Sequence, residues 1–199
     1  LFIAIGVVGV GLAVASNPSG SAIAAGSGYV PLATPTRILD TRPDGATVDN
    51  QLAQGGKRPT TSTLTLTVAG RADVPADAVA VVMNVTVTAA NGPGFITAYP
   101  CGAGQPTASN LNYVAGRNIP NLVVAKIGAA GQVCLYNTEP VHLIVDITGY
   151  FPGVDSYAPL AAPARLLDTR LDGSTVDGAL AKGGILPAGA IQSVQVTGR

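Results

Sequence analysis

From about residue 29 onward the chain is built of short apolar runs in which buried-type and polar positions alternate. Along 141–148 a period of two places Val141, Leu143, Val145 and Ile147 on one face and His142, Ile144, Asp146 and Thr148 on the other. Residues 78–88 repeat the pattern, with Val81, Met83, Val85 and Val87 opposite Asn84 and Thr86. Further strand-like runs lie at 37–42, 62–68, 95–99, 109–113, 122–127 and 132–136. Between them stand turn signals such as Asp44-Gly45, Asn91-Gly92-Pro93-Gly94 and Ala129-Ala130-Gly131. No stretch carries a helical period. About eight short strands broken by Gly and Pro predict an all-β fold, an antiparallel β-sandwich of jelly-roll or immunoglobulin-like type, with a closed β-barrel as the alternative.

The chain also repeats itself. The segment that starts Tyr29-Val-Pro-Leu-Ala and runs through Arg37-Ile-Leu-Asp40-Thr-Arg42 recurs as Tyr157-Ala-Pro-Leu-Ala through Arg165-Leu-Leu-Asp168-Thr-Arg170, an offset of 128 (157 minus 29). The match continues without a gap to Gly70-Arg71 and Gly198-Arg199, with 23 of 43 aligned pairs identical. The organisation expected is a signal peptide, truncated at its start, with a linker in 1–28, a complete β unit in 29–156, and the first third of a second unit in 157–199. The strands 165–170 and 191–196 of that partial unit lack the strands they would pair with. It is expected to be less ordered than the first unit, or to lean on that unit through an exposed edge.

Residues 1–15 form an uncharged apolar run, shorter than the roughly 18 residues a membrane span needs, followed by small-x-small options at Ala13-Val14-Ala15 and Ala22-Ile23-Ala24. That is the pattern of an export signal, and it predicts a secreted chain with no span in its mature part. Composition narrows the picture further. Eleven basic residues balance eleven acidic ones, and charged residues make up only 11% of the chain. Such a neutral surface excludes the basic footprint of a nucleic-acid binder. Two cysteines in an exported chain, Cys101 and Cys134, predict a disulfide.

Several motifs together resemble a tandem repeat of exported actinobacterial proteins: Arg37-Ile-Leu-Asp-Thr-Arg42, Val82-Met-Asn-Val-Thr86, Gly94-Phe-Ile-Thr-Ala-Tyr-Pro-Cys101, Ser109-Asn-Leu-Asn-Tyr113 and His142-Leu-Ile-Val-Asp-Ile-Thr-Gly-Tyr-Phe151. The resemblance covers the whole unit. It implies an accessory module at the cell surface, standing in tandem or beside hydrolase and peptidase domains, and it supplies no catalytic residues.

Candidate chemistry is sparse. His142 and Asp146 share a strand face and are read as a structural hydrogen-bonded pair, since no Gly-x-Ser-x-Gly elbow is present for a triad. On the strand 37–42, alternation puts Ile38, Asp40 and Arg42 on one face. Asp40, Arg42, Asn84, His142 and Asp146 are expected to gather as an inward polar cluster whose members satisfy one another, or as a pocket for sugar hydroxyls. Asp44, Asp49 and Asn50 surround a glycine turn in the manner of a loose calcium loop, without EF-hand spacing. Glu139 stands alone beside Pro140, so the carboxylate pair of a glycosidase is missing. The function expected is a non-catalytic structural, adhesive or anchoring module, partnered by neighbouring modules or by cell-wall or extracellular glycan. The alternative is a carbohydrate-binding module accessory to a secreted hydrolase.

Overall fold

The structure, a computed structural model, describes residues 28–153, 157–158 and 160–199, so the segment read as an export signal lies outside the described residues. Eight strands follow one another: β1 (Val30–Asp40), β2 (Ser62–Thr67), β3 (Ala80–Thr88), β4 (Gly94–Pro100), β5 (Leu111–Tyr113), β6 (Ile119–Lys126), β7 (Gln132–Asn137) and β8 (His142–Phe151). A single 3-10 turn, Ala129–Gly131, separates β6 from β7. Each of the eight apolar runs in the sequence forms one strand.

The strands make two antiparallel four-stranded sheets, ordered β1-β8-β3-β6 and β2-β7-β4-β5. Four pairings are nested: β1 with β8, β2 with β7, β3 with β6 and β4 with β5. This is one long hairpin rolled over itself so that its arms fall alternately into two sheets, the jelly-roll connection. The sheets keep separate edges, so the fold is a sandwich and not a closed barrel.

Inward positions of both sheets interlock in one core. Val81, Met83, Val85, Val87, Leu143, Val145 and Ile147 of the first sheet meet Leu64, Leu66, Ile96, Val133 and Leu135 of the second. All but Leu64 are sealed from solvent. A fully buried aliphatic side chain contributes about 1.5 to 3 kcal/mol, and this layer is the main source of stability.

One strand departs from simple alternation. In β1, Arg37 is opposite Asp146 and Leu39 opposite Val145, so Ile38 is an extra residue in a bulge. Ile38 and Leu39 therefore both reach the core, at 0% and 1% exposure, although they are adjacent in sequence. Beyond the bulge Asp40 is opposite Ile144, an outer-face position, and so it lies on the same side as Arg37. The bulge takes Ile38 off the face that alternation gives to Ile38, Asp40 and Arg42, because the inserted residue shifts the phase after it, while Asp40 and Arg42 still pair with each other.

Residues 160–199 contain no strand beyond the isolated bridge Asp168 to Ala181. Ile185 and Ile191 are 97% and 93% exposed. The local backbone hydrogen bonds across 168–182 nevertheless reproduce those across 40–54. Asp168 N donates to Leu180 O and Lys182 N to Asp168 O, as Asp40 N donates to Leu52 O and Gln54 N to Asp40 O.

Candidate functional site

The polar residues singled out in the sequence lie on the outer face of the β1-β8-β3-β6 sheet, not inward. Asn84, Thr86, His142 and Asp146 are half-buried there, on the side opposite the core residues of their own strands. Cross-strand register aligns Arg37, Asp146, Asn84 and Leu122 in one row across the four strands. The inward expectation fails because the core is filled by Val, Met, Ile and Leu, leaving no place where a charge would find partners.

Asp40 is the exception in burial. Its side chain is sealed from solvent, roofed by the loop that follows β1. Its carboxylate accepts from Arg42 Nε at 2.9 Å, Arg42 Nη2 at 2.7 Å, the Arg42 backbone N at 3.2 Å and Arg37 Nη1 at 3.2 Å. The hydrogen bonds from the Arg42 side chain hold its pKa below the ordinary carboxylate value, outweighing burial, which pushes the other way. Gly45 makes the close roof permissible. A Cβ at this position would stand 2.6 Å from the Asp40 carbonyl oxygen and 2.7 Å from its carboxylate.

Arg37, which alternation placed away from Asp40, is the connecting residue. It donates from Nε to Asp146 Oδ1 at 2.8 Å and from Nη2 to Asp146 Oδ2 at 3.2 Å while Nη1 reaches Asp40. Asp40, Arg42 and Asp146 thus form one network through Arg37. Asn84 borders it, opposite Asp146 on the next strand, with only a long 3.5 Å contact to Thr86 Oγ1. The bidentate Arg-carboxylate forks leave the carboxylates few free lone pairs.

His142 stands apart from the network. Its Nδ1 lies 3.0 Å from the Thr41 carbonyl and 3.1 Å from Thr41 Oγ1. A carbonyl only accepts, so Nδ1 carries the proton. The paired His142-Asp146 reading is replaced by two separate anchors, because the β1-β8 register puts Arg37 against Asp146, while the His142 ring turns to Thr41 just beyond the end of β1. Both tie the start of the loop to β8. Thr41 completes the second anchor by donating its N to Leu143 O and accepting Leu143 N on Oγ1.

The loop read as a calcium candidate is closed by an arginine. Arg71 Nε and Nη2 each stand 2.8 Å from an Asp49 carboxylate oxygen, and the same guanidinium donates to the Ile38 and Thr67 carbonyls. That fork holds the Asp49 pKa down at about 2. With both Asp49 oxygens so engaged, Asp44 and Asn50 are left as exposed turn residues. Among the described residues no group of three or more His, Cys, Asp or Glu converges as metal ligands do. Arg37 and Arg71 are the residues that sequence reasoning missed. Their signal was present, since both recur at the 128-residue offset as Arg165 and Arg199.

On the other sheet Cys101 and Cys134 are joined, with Cα atoms 5.0 Å apart. The bridge links β7 to the residue after β4 and is packed with Tyr99 and Tyr136. Among the described residues no helix is long and apolar enough to cross a membrane. No protein-family model and no curated protein matches this sequence.

Proposed function

We propose that the chain is a non-catalytic module of an exported bacterial protein, repeated in series and serving in structure, adhesion or anchoring at the cell exterior. The observation that carries this reading is the duplication of one clasp. Arg170 Nε and Nη2 reach the Asp168 carboxylate at 2.9 and 2.6 Å and Arg165 Nη1 at 3.1 Å, matching the Asp40 set. Arg199 grips Asp177 as Arg71 grips Asp49. The motif residues thereby act as folding determinants of a unit, and their charges are spent on one another instead of on a substrate. The disulfide supports an oxidising location.

A second reading, glycan binding, is favoured by the row Arg37, Asp146, Asn84, which lies partly open on a flat sheet face. Pull-down on purified cell wall and on insoluble polysaccharides separates the two. Retention that is lost in Asn84→Ala supports the glycan site. Absence of retention on every polymer supports the structural role, and turnover of any glycan would overturn both.

A further inference from the structure

The chain leaves β8 at Phe151 and, six residues further on, presents Tyr157, the counterpart of Tyr29 at the 128-residue offset. Both tyrosines converge on one ring. Tyr29 meets Phe151 at a centroid distance of 5.9 Å, tilted by 56°, and Tyr157 stacks on it at 4.7 Å and 28°. Tyr29 also covers Gly149, where a Cβ would stand 2.4 Å from its ring, and donates its hydroxyl to Thr148 O. The same sequence position therefore closes its own unit in one copy and touches the preceding unit in the next.

Residues 160–165 lie along one edge of the sandwich. There β6 is the last strand of its sheet, and β5 covers only Gly94 to Ile96 of β4, so the later part of β4 has no strand on the side away from β7. Three clefts lie along this path, and each has one wall from the first unit and one from residues after 156. The first, about 210 Å³, lies between Tyr99 and Lys126 on one side and Tyr157 and Pro163 on the other. The second, about 450 Å³, joins Asp77 and Ile127 to Tyr157. The third, about 480 Å³, joins Pro106 to Arg165 and Val176. At its far end Arg165 Nη2 donates to Thr107 O at 3.0 Å. An uncovered sheet edge is a liability that proteins blunt by laying chain across it.

We propose that residues 157–158 and 160–165 form an inter-unit clasp, in which the opening segment of one module docks across the β4-β6 edge of the module before it and sets the angle between them. The partner is the next module of the same chain, so the proposal rests on the serial-module reading above. A tether of five residues keeps the local concentration of the docking segment on the order of millimolar, enough for a small contact area to be occupied.

Backbone 15N relaxation on the whole chain tests the clasp. Residues 28–153 and 160–199 share one rotational correlation time if it holds. Tyr157→Ala removes the stack and lowers the docked-to-undocked ratio about two- to tenfold. The expected readout is a shorter correlation time in 160–199, with shifts at the Thr107, Lys126 and Ile127 signals. Tyr157→Phe keeps the ring and leaves both unchanged. The Arg170 Hε signal, fixed by Asp168, reports that the segment itself stays folded, and Phe151→Leu repeats the test from the other side. Independent tumbling of 160–199 in the unaltered chain overturns the clasp, as does indifference of those signals to Tyr157→Ala. Either result leaves the modules in place as loosely strung units, whereas catalytic turnover removes the module reading and leaves the clasp standing.

Discussion

Replacing Asp40 by Ala removes the acceptor that four N–H groups share in a site closed to solvent. Removing one partner of a fully buried ion pair costs about 3 to 5 kcal/mol. Here the guanidinium ends are not fully buried, since the Arg37 and Arg42 side chains are 38% and 35% exposed and water recovers part of their solvation. Arg37 also keeps Asp146. The expected loss is therefore about 2 to 3 kcal/mol, and somewhat less for Asp40→Asn, which keeps the shape and gives up the charge. Urea denaturation of the oxidised protein, compared at equal m, measures it. The pH dependence gives a second check. A carboxylate whose folded pKa lies below its unfolded value stabilises fully above the unfolded value, about 4, and loses that contribution as pH falls through the folded value. The gap between wild type and Asp40→Asn should be constant from pH 7 to 5 and close below about pH 4. A midpoint change under about 0.5 kcal/mol at pH 7, or a gap that persists unchanged in acid, refutes the assignment of Asp40 as the centre of the clasp. Asp168→Ala breaks the same local set in a segment without strands, and leaves the main transition where it was.

Three further outcomes follow from the same geometry. Replacing both Cys101 and Cys134 by Ser should lower stability by about 3 to 4 kcal/mol for a loop of 33 residues, read from the urea midpoint; an unchanged midpoint would mean that the bridge constrains nothing. Gly45→Ala forces a methyl group into the Asp40 carbonyl and carboxylate and should cost about 1 to 3 kcal/mol, whereas Gly55→Ala meets nothing within 4 Å and should be near neutral; thermal melts that rank them the other way sink the packing argument. Amide exchange should be slowest in β3 and β8, which are flanked by strands on both sides, and fast across 160–199, where no ladder protects the backbone.

Strand positions were legible because alternation is a direct imprint of burial on one face, and all eight runs survive with shifts of a few residues at their ends. The longest disagreement is β1, which begins at Val30 instead of Arg37. Pro31 and Pro35 hide that stretch from a pattern search, yet an edge strand tolerates them. The pairing of the cysteines was legible by count alone. The network was not. The bulge at Ile38 inverts the phase of β1, and no local rule marks where an extra residue sits. The His142-Thr41 and Arg71-Asp49 contacts join residues 101 and 22 positions apart, and they depend on register and on the path of one loop. Only the recurrence of Arg37 and Arg71 in the second copy marked them as partners worth seeking.

The nesting of β1 against β8 has a consequence for the architecture of any protein that carries this unit. Val30 lies directly opposite Tyr150, so the chain arrives and departs on neighbouring strands, about 5 Å apart. More than a hundred residues are thus enclosed between two points one strand spacing apart, the geometry that lets a domain be inserted or excised with little displacement of what flanks it.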